Sequence, residues 1–236
     1  VVKIAQNSAH YAVQKPDEVT DLVDFKQPEI SDTDLKAPIY IDFGPTSLSA
    51  TPWNNITSHQ ESSTTSWIKD VENNYTNIGV RVLDGFTATH AGVGSEPASP
   101  VTVDGVEFPL TAWKDGLLVK GEKNQGDVGP GRIEISQLDV ARKYNFTILA
   151  IRFNGSKDAR ISSYKLVGKT ESAVKEVKTG IKDAASFAAA NFEEYIAKFE
   201  NVEPDSEGKV IVEVKGLDTG SAAEGHINAL CISLAK

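Results

Sequence analysis

Hydrophobic residues recur at every second position along much of the chain from residue 39 onward. Ile39, Ile41 and Phe43 alternate with two more polar residues, and residues 227–234 are apolar at both alternating sets of positions. The first pattern is typical of a strand with one buried face, and the second of a central strand covered on both faces. Further alternating runs lie at residues 78–83, 132–136 and 210–214. Many short strands punctuated by turn residues, with little helix, predict an all-β fold, an antiparallel β-sandwich with minor short helices.

The stretch from Tyr144 to Gly168 contains two predicted strands joined by a polar turn. Residues 146–151 are almost continuously apolar, and residues 154–158 contain an Asn-Gly pair that suits a tight turn. We therefore predict a hairpin at the centre of the sandwich. Arg152 and Arg160 would lie on either side of its tip, where a scaffold commonly presents binding groups.

Two segments have less regular patterns. Residues 87–106 are rich in Gly, Pro, Ser and Ala and predict one long loop. Residues 181–199 carry apolar side chains at spacings of three and four, but their end also alternates. We predict a short helix near 184–190, a strand over 194–202, and a hairpin turn at 204–208 leading into the next strand.

The first 37 residues differ from the rest of the chain. They are charged, contain proline and have only short apolar pairs such as Leu22-Val23. This composition predicts an N-terminal extension or linker over residues 1–37, followed by the β-sandwich domain over residues 38–236.

Composition limits the classes of function. The chain has 236 residues, is 40% hydrophobic and carries a formal charge of −9, so it can bury a core and is acidic. Acidity argues against nucleic acid and anionic membranes as partners, and no apolar stretch is long enough to span a bilayer. The single cysteine, Cys231, lies in an apolar run and is predicted to be a buried structural thiol. With no signal peptide and no methionine, we expect a processed or trimmed chain.

The order of several short segments resembles a known family. The segments are Ile39–Gly44, Pro52–Asn55, Val82–Phe86, Tyr144–Thr147 with Arg152, Ser163–Leu166 and Asn228–Leu230. Together they resemble, over residues 38–236, the galactose-binding-like jelly-roll domains of the carbohydrate-binding-module type in secreted proteins of gut Bacteroidetes. Departures are the N-terminal extension and an insert over residues 174–191.

The resemblance implies a jelly-roll sandwich that acts as a non-catalytic module of a polysaccharide-processing or surface protein. An oligosaccharide or polysaccharide would be its partner, bound in loops at one end. The location implied is extracellular, periplasmic or on the cell surface. Many such domains also carry a structural calcium ion.

Sugar binding needs a flat apolar surface for the ring and planar polar groups for the hydroxyls. Our candidate ligand-binding residues are Trp53, Asn54, Trp113, Arg152, Asn154 and Arg160. The structural alternative is that the tryptophans lie in the core and the arginines pair with Asp158 or glutamates on the surface.

Metal and catalytic sites have little support in the sequence. Four aspartates in or beside turns could supply calcium ligands, but no calcium-loop spacing occurs and such residues often stabilise turns instead. These are Asp42, Asp84, Asp127 and Asp158. The four histidines lack the paired spacing of a zinc site, and no nucleophile elbow or phosphate loop is present. We assign no catalytic residue; the alternatives to sugar binding are a structural or protein-interaction module and a hydrolase with a carboxylate pair.

Overall fold

The computed structural model describes residues 35–120, 130–153, 160–217 and 224–236. Strands dominate, and the helices are one or two turns long. In chain order the strands are β1 Ile39–Phe43, β2 Trp53–Ile56, β3 Thr64–Thr65, β4 Gly79–Asp84, β5 Ala88–His90, β6 Val101–Val103, β7 Val106–Phe108, β8 Gly116–Lys120, β9 Gly131–Ser136, β10 Tyr144–Leu149, β11 Arg152–Phe153, β12 Ile161–Val167, β13 Lys175–Lys178, β14 Gly180–Ile181, β15 Ile196–Val202, β16 Val210–Gly216, β17 Glu224–Ile227 and β18 Ala229–Leu234. The helices are α1 Leu110–Trp113, α2 Ala184–Ala188 and a 3₁₀ helix at Phe192–Tyr195.

Two large sheets form the body of the domain. One has five strands in the order β15-β10-β18-β1-β2, and the other has six in the order β13-β12-β16-β9-β4-β3. Their pairings are antiparallel except that of β1 with β2, which run parallel. The predicted all-β, antiparallel β-sandwich with minor helices is confirmed.

The main core lies between the two sheets. Ile39, Ile41 and Phe43 project into it from β1, and Val212 and Val214 from β16, all with no exposed surface. Each large apolar side chain buried in this way contributes about 1.5–3 kcal/mol relative to an exposed one. The alternation read from the sequence is therefore the inner face of the sandwich.

A second core covers the outer face of the five-stranded sheet. Leu149, Ile151, Ala229 and Cys231 project outward from β10, the residues after it, and β18. They are covered by Val101, Phe108, Trp113, Ile181 and Phe187, which come from the β6–β7 hairpin, α1, β14 and α2. Double burial explains the continuous apolar runs at 146–151 and 227–234, as predicted. Cys231 is a free thiol, and its burial confirms that it is a structural residue, as predicted. The same burial raises the pKa of the thiol.

The predicted hairpin over residues 144–168 is wrong. β10 pairs with β15 and β18, whereas β12 pairs with β13 and β16 in the other sheet. The chain leaves β10, forms the short β11 beside β14, and then enters the opposite sheet. The turn at 204–208 likewise joins β15 in one sheet to β16 in the other, so that predicted hairpin is also wrong. Turn chemistry indicates where a strand ends but not which strand becomes its neighbour.

The predicted long loop over residues 87–106 is also wrong. β5 pairs with β8, and β6 pairs with β7 in a tight hairpin. The strands β5, β6 and β7 have three residues each, too few for a period of two to be recognised. The predicted helix and strand within residues 181–199 are confirmed, although β15 begins at Ile196 because the 3₁₀ helix occupies the preceding residues.

The N-terminal boundary of the domain remains a prediction. Residues 1–34 lie outside the described residues, and Leu35 and Ala37 are buried, with Leu35 in the main core. Within the part of the chain that the structure describes, no helix is long and apolar enough to cross a membrane.

Candidate functional site

Trp53 and Asn54 lie on β2, at the edge of the five-stranded sheet. The half-buried Trp53 ring packs against Tyr40 and Phe108, with ring centroids 5.1 and 5.7 Å away. The Asn54 amide donates to the carbonyls of Tyr40 and Lys69 at 3.0 and 2.7 Å and accepts from the Lys69 N–H at 2.8 Å. Asn54 thus joins the segment around Lys69 to the sheet with both ends of its amide engaged.

Trp113 lies inside the second core. Its ring has no exposed surface, stacks on Phe187 at 4.9 Å, and donates from Nε1 to the Ser99 carbonyl at 3.3 Å. Because a buried ring has no face to offer a sugar, we leave Trp113 out of the site proposed below. Asn154 lies outside the described residues.

Arg152 and Arg160 come together at one end of the sandwich, on either side of Thr179. The Arg152 N–H donates to the Thr179 carbonyl at 2.6 Å, and the Thr179 N–H donates to the Arg160 carbonyl at 2.9 Å. Arg160 is 6% exposed, and Arg152 is half-buried. Among the predicted site residues that the structure describes, these two are neighbours, whereas Trp53 and Asn54 sit at a different edge.

A small sheet brings two histidines and a glutamate to the same place. Its strand order is β17-β8-β5, so that His90 of β5 and His226 of β17 flank β8. The two rings meet edge to face at 4.9 Å. Gly116 of β8 makes the space, since a Cβ there would lie 3.0 Å from His90 Nε2 and 2.5 Å from the Ile227 carbonyl oxygen.

Glu224, at the start of β17, supplies the negative charge. Its Oε2 lies 3.4 Å from Arg160 Nη2 and 3.7 Å from His226 Nε2. We call Arg152, Arg160, Thr179, Glu224, His90 and His226 the arginine cluster. Sequence reasoning identified the two arginines but missed Glu224 and the histidines, because they are brought together by the pairing of strands that are distant in the sequence.

Burial and charge set the protonation states of the cluster. The contact with His226 and the charge of Arg160 lower the pKa of Glu224 to about 2 despite its burial. Burial lowers the pKa of His226 to about 4, and burial together with the neighbouring His226 holds the pKa of His90 well below its usual range. At neutral pH the cluster therefore contains two guanidinium ions, one carboxylate and two neutral imidazoles.

Unused hydrogen-bonding atoms are concentrated in this cluster. Eight buried side-chain nitrogen or oxygen atoms lack a hydrogen-bond partner among the described residues, and six of them belong to it. They are Arg152 Nε, Arg160 Nε and Nη1, Thr179 Oγ1, and His226 Nδ1 and Nε2. Leaving a buried polar group unpaired costs about 1–3 kcal/mol, so such atoms are normally paired with protein groups, ordered water or an ion. The cluster can therefore hold a polar group.

Two buried aspartates account for the other unpaired atoms. Asp42 Oδ2 accepts from the Ser49 N–H at 3.1 Å, and Asp115 Oδ2 accepts from the Thr46 N–H at 2.8 Å and its hydroxyl at 2.6 Å. Burial, with the nearby charge of Asp115, raises the pKa of Asp42 to about 7. Because both side chains have no exposed surface, they do not form the open carboxylate pair that glycoside hydrolysis uses.

The aspartates proposed from the sequence as calcium ligands lie apart. Asp42 is in the interior, Asp84 accepts from Arg132 Nε at 2.9 Å, and Asp127 and Asp158 fall outside the described residues. No group of three or more His, Cys, Asp or Glu side chains able to hold a metal ion occurs in the described ranges.

No protein-family model matches the chain, and neither does any curated protein. Among solved structures, the chain is similar to a Bacillus subtilis protein, with 13% identity, a TM-score of 0.42, and coverage of 84% of this chain and 40% of that one. It is also similar to a chain in the complex of the plant peptide RALF23 with FER and LLG2, with 10% identity, a TM-score of 0.49, and coverage of 83% and 48%. A third similarity is to the carbohydrate-binding module TmCBM61 in complex with β-1,4-galactotriose, with 15% identity, a TM-score of 0.29, and coverage of 51% and 71%.

The chain thus spans less than half the length of the first two of these proteins. With identities of 10–15% and TM-scores below 0.5, these similarities assign neither a family nor a ligand to the chain.

Proposed function

We propose that the protein is a non-catalytic carbohydrate-binding module, acting outside the cytoplasm in the extracellular space, the periplasm or at a cell surface. The observation that carries the proposal is the arginine cluster. The half-buried Arg152 lies beside the buried Arg160 and the Glu224 carboxylate at one end of the sandwich, and both arginines have nitrogens without a partner among the described residues. Planar donors close to an acceptor are the groups that recognise a polyhydroxylated ring.

The two partly exposed members of the cluster, Arg152 and Glu224, suit this role. A guanidinium group donates to ligand oxygens and accepts nothing, whereas Glu224 accepts from a hydroxyl. His226 has no exposed surface, so it supports Glu224, whose Oε2 lies 3.7 Å from His226 Nε2, and does not itself contact the ligand. Since Arg152, Glu224 and His226 lie on strands rather than in long loops, their positions are set before a ligand arrives.

The experiment is a glycan array followed by isothermal titration with plant and host polysaccharides. We expect binding by the wild type and a loss of about 10- to 150-fold in the Arg152→Gln variant, since hydrogen bonds to charged groups contribute about 1.5–3 kcal/mol. Arg81→Gln is the matched control, because Arg81 is an exposed arginine on β4 that donates to Ser62 Oγ at 3.4 Å. Equal affinities of the two variants, or no binding to any glycan, would contradict the proposal.

A second candidate function is that of a protein-interaction module, favoured by an exposed aromatic pair. Trp67 is 41% exposed and Tyr75 47% exposed, on two adjacent segments that are joined by a bridge between Lys69 and Tyr75. Trp67 has a φ of 53°, a region that a bulky side chain rarely adopts, so its backbone is strained. Trp and Tyr are enriched among the residues that anchor protein interfaces.

The test of this second candidate is sedimentation velocity over a concentration series. Association through the pair predicts a larger species for the wild type that is absent from a Trp67→Ser, Tyr75→Ser variant. A monomer at every concentration in both proteins would contradict association between copies of this chain.

A further inference from the structure

Arg160 is a buried cation, and its ion pair with Glu224 uses only part of its hydrogen-bonding capacity. The side chain is 6% exposed, and its Nη2 lies 3.4 Å from Glu224 Oε2, at the long end of hydrogen-bonding distance. Its Nε and Nη1 have no hydrogen-bond partner in the described ranges. A desolvated guanidinium with unused donors favours a further acceptor, and favours a charged one most.

Arg152 is held mainly by neutral groups. Its Nη1 donates to the Ala91 carbonyl at 3.0 Å and lies 3.3 Å from His90 Nδ1, while its Nε has no partner among the described residues. The charges of Glu224 and Glu96 also act on Arg152, but Glu224 pairs with Arg160, and the Glu96 carboxylate accepts from the N–H groups of Val93 and Gly94. No ion pair with Arg152 is found within the part of the chain that the structure describes.

The cluster therefore has more free donors than free acceptors. Arg152 and Arg160 together leave three N–H-bearing nitrogens unused, whereas the unused acceptors are the Thr179 hydroxyl and one nitrogen of the neutral His226, and the Glu224 carboxylate already faces Arg160 and His226. A sugar hydroxyl brings a proton that itself needs an acceptor, but an oxyanion brings acceptors only. An anionic group matches this surplus better than a hydroxyl does.

The cluster is open to solvent on the side of Arg152. This side chain is half-buried, and its hydrogen bond to Ala91 lies at the surface, next to an exposed residue. A group at the edge of a large ligand can approach the Arg152 guanidinium from there, whereas the unused nitrogens of Arg160 have no exposed surface. The low dielectric around Arg160 strengthens any charged hydrogen bond formed inside.

From this geometry we propose that the arginine cluster binds a singly charged acidic group of a glycan, a uronic acid carboxylate or a sulfate ester, at Arg152, with the buried Arg160 adjacent. This inference rests on the proposed function, since it names the class of sugar that the same site takes. Arg152 binds the oxyanion, the charge of Arg160 attracts it, and Glu224 accepts from a neighbouring hydroxyl of the ring.

The experiment compares matched glycans with the full chain. Uronic acid polysaccharides (galacturonan, glucuronoxylan and alginate) are each paired with their carboxyl-reduced form, and a sulfated polysaccharide is paired with its desulfated form. We expect the acidic member of at least one pair to bind roughly tenfold or more tightly than its neutral counterpart, as expected for a hydrogen bond to a charged group. In Arg152→Gln that preference should disappear, while in Arg81→Gln it should remain.

Each outcome decides something. Preference for the uronic acid or for the sulfate ester supports the inference and identifies the source of the charge. Equal binding of acidic and neutral members, lost in Arg152→Gln, overturns the inference but leaves the proposed function standing. Absence of binding to all glycans overturns both. Circular dichroism and thermal unfolding of each variant establish that it is folded, and Arg152→Lys, which keeps the charge but has fewer donors, should retain part of the preference.

Discussion

Replacing Asp42 by asparagine should stabilise the protein, and increasingly so as the pH rises. Burial raises the pKa of Asp42 from its ordinary value of 3.8 to about 7. A carboxyl group with a raised pKa binds more protons in the folded state than in the unfolded state. Its favourable contribution is therefore complete below its unfolded pKa and is lost as the pH rises through its folded pKa.

The magnitude follows from the two pKa values. The full shift corresponds to about 4 kcal/mol, reached well above neutral pH. Raising the pH from about 5 to about 8 ionises the side chain and lowers the unfolding free energy by about 2–3 kcal/mol. Asparagine does not ionise, so the variant avoids this loss. The substituted amide would keep an oxygen to accept from the Ser49 N–H, and its NH₂ group would replace the proton of the neutral acid.

The assay is urea unfolding of the wild type and of Asp42→Asn at about pH 5 and about pH 8. The difference in unfolding free energy should grow by about 2–3 kcal/mol towards the higher pH. Asp104→Asn is the control, because Asp104 is an exposed aspartate in the β6–β7 turn with a φ of 52°, which asparagine tolerates. A difference for Asp42→Asn that is the same at both pH values would refute the reasoning from burial.

Two further predictions concern the second core and the arginine cluster. Trp113→Ala should lower stability by about 3–5 kcal/mol, because the ring is fully buried against Phe187, yet leave the glycan affinity of the folded protein unchanged; titration below the lowered melting temperature would detect any direct role in binding. Acidification should destabilise the wild type, because the pKa of His226 is lowered to about 4 in the folded state. The stability that the neutral histidine contributes above its unfolded pKa of about 6.5 is lost as the pH falls through that folded pKa. Between neutral pH and about pH 4.5, the unfolding free energy measured in urea should fall by about 2 kcal/mol less in His226→Gln than in the wild type. Equal falls in the two proteins would contradict a buried neutral histidine.

Much of the fold could be predicted from the sequence. The alternation at Ile39–Phe43 identified β1 and its inner face, and the doubly apolar runs at 146–151 and 227–234 correctly indicated strands covered on both sides. The mixed pattern over residues 181–199 resolved into a helix and a strand as predicted. These features depend on the side-chain period of a strand or a helix, which is a local property of the chain.

The candidate site was predicted in part. Arg152 and Arg160 were identified because they flank a predicted turn, and the structure places them next to each other at one end of the sandwich. The sequence left two positions open for Trp113, a binding surface or the core, and the structure places it in the core with no exposed surface. Its burial results from the β6–β7 hairpin and α2 packing over the outer face of the sheet.

The sequence by itself thus determined the class of fold and the inner face of its main strands, because alternation records which side chains leave water. The tertiary structure alone decided that β10 and β12 belong to different sheets, and that His90, Glu224 and His226 meet the two arginines. The physical reason is that strand pairing and side-chain proximity depend on packing between segments far apart in the chain, and the local period of a strand carries no information about its partner.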